Sequence, residues 1–289
     1  MTTYLPIRFP LFWEELRRRM RGGRAQVVLL IYTLLLVTLL FFVTQIADIS
    51  SNPREWPRFG KILWQTFMVA QMAIIIFISP GLTAGAISSE KEQGTLDLLL
   101  LTRMGSLSIV LGKFFGAIGQ MLYLLLAGLP IISVVFFFGG VSPGDIAMGY
   151  TLTICTGIGY ASLGFFMSCR CKRVVPAVAW SYALMLLMSV ILPLLSGLLL
   201  QMTDVLGGLD RTVGAMLMVT NPLATYIARL IAQYDSSSKD LVSLWPTILV
   251  MLGLTVLVIA ESTMMVRRLR GLSKRFIPKT LRKPAKGKG

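Results

Sequence analysis

Glu90, Lys91 and Glu92 stand side by side just ahead of Gly94 and Thr95, in a stretch otherwise dominated by apolar residues. Two carboxylates around an ammonium are suited to ion pairs and charge-assisted hydrogen bonds. Gly94 allows a backbone angle that other residues reach only under strain. Thr95, followed by Leu96, Asp97 and Leu98, can cap a new helix whose apolar side would carry Leu96, Leu99 and Leu100. A short helix that is first charged and then apolar suits docking into a groove on a partner protein. Its own chemistry is binding, not bond-breaking.

Other chemistry is sparse. The chain has no histidine, which removes the Ser-His-Asp triad, the His-Glu-x-x-His zinc proteases, histidine-ligated haem and histidine pH switches. Cys155 lies inside an apolar run, while Cys169 and Cys171 belong to the basic turn Ser-Cys-Arg-Cys-Lys-Arg at 168–173. Three cysteines without further Cys or His ligands read as an ordinary turn, not as a metal site or a disulfide pair. The nearest approach to a phosphate-binding loop is Gly112-Lys113-Phe114. It has Leu107 where the leading glycine belongs and Phe114 where a hydroxyl residue belongs, so ATP binding by that route is not expected.

The elements that must position these residues follow from composition. Of 289 residues, 55% are hydrophobic and 14% charged, against roughly 25% charged in soluble proteins. An all-α integral membrane protein is expected. Runs of about 20 apolar residues predict six spans at 26–46, 62–87, 115–138, 146–167, 176–200 and 244–266. The spans make one domain over 26–266, preceded by residues 1–25 and followed by a basic tail at 267–289. No small-x-small site follows the first run, so a cleavable leader is not expected. Inside the spans the only acidic residue is Glu261, near the end of the sixth, where it would snorkel or pair toward Arg267 and Arg268. Spans this bare disfavour an ion-coupled secondary transporter.

Lysine and arginine set the orientation, because basic connections stay in the cytoplasm. The N-terminal segment, the second and fourth connections and the tail together hold 22 of the 28 basic residues, leaving 6 for the other side. Both termini are therefore expected inside. The net charge of +15 lies mostly beside apolar runs and implies membrane lipids as partners, not nucleic acid. A seventh span at 213–233 would export the basic tail, and Asn221-Pro222 and Arg229 interrupt it. The segment 201–243 is read instead as outer-face structure. Before the first span, Phe12, Trp13, Leu16 and Met20 recur at helical spacing opposite Arg17, Arg18, Arg19 and Arg21. That pattern predicts an amphipathic helix lying on the cytoplasmic leaflet.

At Glu90, Lys91, Gly94, Thr95, Leu96, Leu99, Leu100 and Thr102 the chain resembles the type-2, export-class permeases of the ATP-binding-cassette transporters. There a short coupling helix of the form Glu-Arg/Lys-x-x-Gly-Thr-Leu-x-x-Leu-Leu-x-Thr-Pro joins spans 2 and 3; here Arg103 replaces the proline. Ala84-Gly85-Ala86-Ile87, the interfacial helix, the six-span layout with both termini inside and Asn221-Pro222 extend the likeness over most of the chain. The resemblance implies the permease subunit of an ATP-driven exporter in the plasma membrane. A separate ATPase subunit would bind ATP and Mg and contact Glu90, Lys91, Glu92, Gly94, Thr95, Leu96 and Leu99. A second permease, either another copy or a relative, would complete the transporter. A non-transporting assembly factor for an exported enzyme is the remaining alternative. Paired small residues such as Gly81 with Gly85 and Gly157 with Gly164 would let helices approach closely.

Overall fold

The computed structural model describes residues 23–46, 55–96, 105–198, 219–232 and 244–276, with Arg17 besides. Phe12, Trp13, Leu16 and Met20 of the expected interfacial helix lie outside the described residues, as do Leu99 and most of 201–243. The described elements are helices: α1 (Gly23–Ile46), α2 (Trp56–Ala84), α3 (Ser88–Glu92), α4 (Ser106–Phe138), α5 (Pro143–Arg170), α6 (Val174–Leu186), α7 (Pro222–Ala232) and α8 (Trp245–Phe276). Past Leu186, α6 widens into a π turn at Leu187–Ile191 and then resumes to Leu198.

Six of these, α1, α2, α4, α5, α6 and α8, are long and apolar enough to cross a membrane. The shortest spanning stretch has 21 residues and so covers about 31 Å, the thickness of a bilayer's hydrocarbon. At 11 residues, α7 is about 16 Å long and cannot cross.

Helices α4 and α8 outrun the apolar stretches that announce them by the most. α4 starts at Ser106 instead of near 115, so Lys113 belongs to a membrane helix and not to the connection before it. α8 continues to Phe276, ten residues beyond its expected end at 266.

The centre of the bundle is α5. It packs most extensively against α2 and α8, and 78% of its spanning window is buried against 11% for α1 and for α6, which lie at the periphery. Its start is dictated locally: Pro143 occupies the first turn, and Ser142 and Asp145 form a reciprocal capping box. Its centrality comes from small side chains. A Cβ at Gly164 would stand 2.5 Å from the Pro80 carbonyl oxygen and 2.8 Å from Pro80 Cα, so only glycine lets the α2 and α5 backbones touch there. Beside that contact the Thr83 hydroxyl donates to the Ala161 carbonyl at 2.7 Å, crossing between the same two helices. Gly159 likewise admits Met251 of α8. Larger apolar residues, among them Phe67, Met68, Met72, Phe114 and Phe165, fill the remaining interior.

Candidate functional site

At the end of α2 the chain turns through 85–87 into α3, a single helical turn of five residues. Its termination explains the Gly-Thr pair. The Thr95 amide donates to the Glu90 carbonyl and the Gly94 amide to the Lys91 carbonyl, at 3.0 and 3.2 Å, the double hydrogen bond of a Schellman motif. Such a closure places the residue after the C-cap in the left-handed region, and Gly94 has φ +71°. Glycine adopts that angle without the penalty other residues meet.

Three consecutive side chains of α3 bind three different membrane helices. Glu90 Oε1 lies 2.6 Å from Lys113 Nζ, two turns into α4. The Lys113 side chain is 2% exposed and that of Glu90 18%, so the bond is largely shielded from water. The other carboxylate oxygen of Glu90, Oε2, is buried without a hydrogen-bond partner. Lys91 Nζ donates to the Cys169 carbonyl and reaches the Ser168 and Cys171 carbonyls at 3.4 and 3.2 Å. These carbonyls close α5, where helical groups lack partners and the helix dipole favours a cation. Glu92 Oε2 accepts from the Val174 amide at 2.9 Å, the first residue of α6, where the dipole favours an anion. Ser168 of α5 adds a fourth tie: its Oγ accepts from the Ile87 and Ser88 amides at 2.8 and 2.9 Å.

The inner side of the segment is thus bolted down while the outer side is open. Ser88 and Leu96 are buried, and Glu92, Gln93, Gly94 and Thr95 are exposed. Sequence reasoning assigned both carboxylates to a partner protein. The structure turns Glu90 inward to Lys113 and holds Glu92 exposed at the start of α6. The Thr95 hydroxyl sits 3.4 Å from the Glu90 carbonyl, so its described bonds close α3 behind it. Leu96 contributes to a buried cluster with Ile87, Val110 and Phe114; Leu99 lies outside the described residues.

Three residues of this site escaped the sequence reading: Lys113, Ser168 and, through its amide, Val174. Lys113 carried a usable signal, because a lysine inside an apolar helix requires a carboxylate or other acceptor nearby. Ser168 and Val174 carried none, since their role depends on where α5 and α6 meet α3.

At the opposite end of the bundle a cavity of about 170 Å³ is lined by Lys61, Gln65, Asp145, Tyr226 and Arg229, among others. Burial pushes the Tyr226 hydroxyl up to about 12, with the Arg229 guanidinium opposing that shift and the Asp145 carboxylate adding to it.

Six helices long and apolar enough to cross a membrane, with a charged turn after the second tied to three of the others, define a multi-pass membrane protein. The model of the family described as ABC-2 type transporter matches residues 11–208. The match covers well over half of the chain, which belongs to that family and is therefore the permease component of an ABC transporter; the matched region is a transmembrane permease domain, not an ATPase domain. No individual curated protein matches it.

Proposed function

We propose that this permease exports its cargo from the cytoplasm across the plasma membrane, driven by ATP and Mg bound to a separate ABC ATPase that seats on the exposed rim of α3. Two permease subunits, two copies of this chain or one copy with a relative, make up the working transporter. The observation that carries the reading is the two-sidedness of α3: Glu92, Gln93, Gly94 and Thr95 face outward, while Glu90, Lys91 and Glu92 hold α4, α5 and α6. A push on such a turn reaches three membrane helices at once. Ion pairs and charge-assisted bonds transmit it without flexible intermediates. The excess of basic residues on the α3 side, 22 against 6, supports its facing the cytoplasm, where ATP is.

The test is co-expression with the candidate ATPase. The complex should purify intact, and the chain alone should hydrolyse no ATP. Gly94→Val forces a β-branched residue to the left-handed angle, at a cost of at least about 1–2 kcal/mol, and deforms the rim without entering the core. Permease-dependent ATPase activity should fall severalfold while membrane abundance persists. Full coupling by Gly94→Val at normal abundance would sink the reading.

A further inference from the structure

Where α5 ends beside α8, a groove of about 470 Å³ opens at the same end of the bundle as α3. Its lining is divided by chemistry. Arg170 and Arg268 supply two guanidiniums from two helices, Phe166, Met264, Met265 and Leu269 supply an apolar floor, and Glu261 stands among them. The spanning stretches of α5 and α8 end at Arg170 and Leu269, so the groove lies at the level where hydrocarbon gives way to head groups. Arg170, Glu261 and Arg268 have no ion-pair partner among the described residues. Both guanidiniums are exposed at this level, where an acidic head group can reach them.

We propose that this groove binds an anionic phospholipid, with its phosphate held by Arg170 and Arg268 and the start of its acyl chains on Phe166, Met264, Met265 and Leu269. Guanidinium groups match phosphate oxygens bidentately, and basic pockets between membrane helices suit acidic head groups. The apolar half decides for a lipid over a soluble protein, which would leave that floor facing hydrocarbon uncovered. Glu261 opposes the phosphate and keeps the site from holding its lipid irreversibly. The inference is independent of ATPase docking, which uses the α3 rim.

The measurement is lipid binding to the full chain in detergent, with phosphatidylglycerol, phosphatidylcholine and inorganic phosphate as probes, read by native mass spectrometry. Phosphatidylglycerol should bind about tenfold better than phosphatidylcholine: both carry the phosphodiester, but the choline ammonium would stand beside the two guanidiniums and cancel the net charge that they attract. The double variant Arg170→Gln with Arg268→Gln should abolish that preference, and Glu261→Gln should strengthen it. Inorganic phosphate at matched concentration should not displace the lipid. Equal binding of the two lipids, a double variant that keeps the preference, or displacement by inorganic phosphate would each overturn the proposal. So would a double variant that loses ATPase association while its lipid preference is intact, since the groove would then be a protein contact. If the double variant does not fold, Glu261→Gln decides: unchanged or weaker phosphatidylglycerol binding overturns the site.

Discussion

The side-chain amide of Asn221 donates to the Ser189 carbonyl at 2.8 Å, joining the start of α7 to the middle of the π turn in α6. The cause lies four residues further along α6. Pro193 has no amide hydrogen, so the Ser189 carbonyl loses its helical donor. The helix widens there, and Asn221 Nδ2 also approaches the Met188 carbonyl at 3.3 Å. The same residue caps α7: its Oδ1 accepts from the Leu223 and Ala224 amides at 3.0 and 3.1 Å, with Pro222 in the first helical position. Asn221 therefore uses both ends of its amide, one for each helix, and is 1% exposed.

The first prediction separates the two roles. Asn221→Ala removes the cap, about 0.5–2 kcal/mol, and leaves the half-buried Ser189 and Met188 carbonyls without that donor, which adds to the loss. Asn221→Asp keeps the capping oxygen but sets a carboxylate against those carbonyls. Unfolding in detergent should therefore rank Asp no better than Ala. A wild-type midpoint for Asp would mean that the link to α6 contributes nothing.

Glu90 and Lys113 should show strong coupling. Breaking a buried pair by removing one partner costs about 3–5 kcal/mol, and the more enclosed survivor should cost more. Lys113 is 2% exposed against 18% for Glu90, so Glu90→Gln should destabilise more than Lys113→Met. The double variant should recover much of the loss. Additive unfolding energies in that cycle would show that the pair does not act as a unit.

Gly164→Ala should lower thermal stability by several degrees, because the added Cβ meets the Pro80 backbone at 2.5 Å and neither helix can retreat without breaking the Thr83 to Ala161 bond. Gly85→Ala is the matched control: nothing lies within 4 Å of its Cβ position and its φ is −86°. That substitution should be neutral or mildly stabilising. Equal effects of the two would refute the close α2–α5 approach as the reason for Gly164.

Topology can be read with reporters. A fusion after Gly289 should report the cytoplasm, and an insertion near Ser237 should report the opposite side, as the 22 to 6 partition of basic residues implies. A cytoplasmic signal at both places would contradict the six-span arrangement.

The six membrane helices were legible because burying a backbone in hydrocarbon demands long apolar runs, and such runs have a period of nothing but length. The beginning of α5 was equally local, written in Ser142, Pro143 and Asp145. Gly94-Thr95 also announced a turn, since a left-handed residue after a short helix is a property of the chain itself. The tertiary structure decided the partners. Hydropathy placed the start of the third span after Lys113, because a lysine interrupts an apolar run; the helix includes it because Glu90, 23 positions earlier, neutralises it. Pro193 freed the Ser189 carbonyl locally, but the donor that serves it is Asn221, 32 residues away. The ends of α5 and α6 became the seats of Lys91 and Glu92 only once both helices met α3. Local propensity and apolar length act over one or two turns, whereas the destination of a buried charge or a freed carbonyl depends on which helices pack together, and that is a property of the whole bundle.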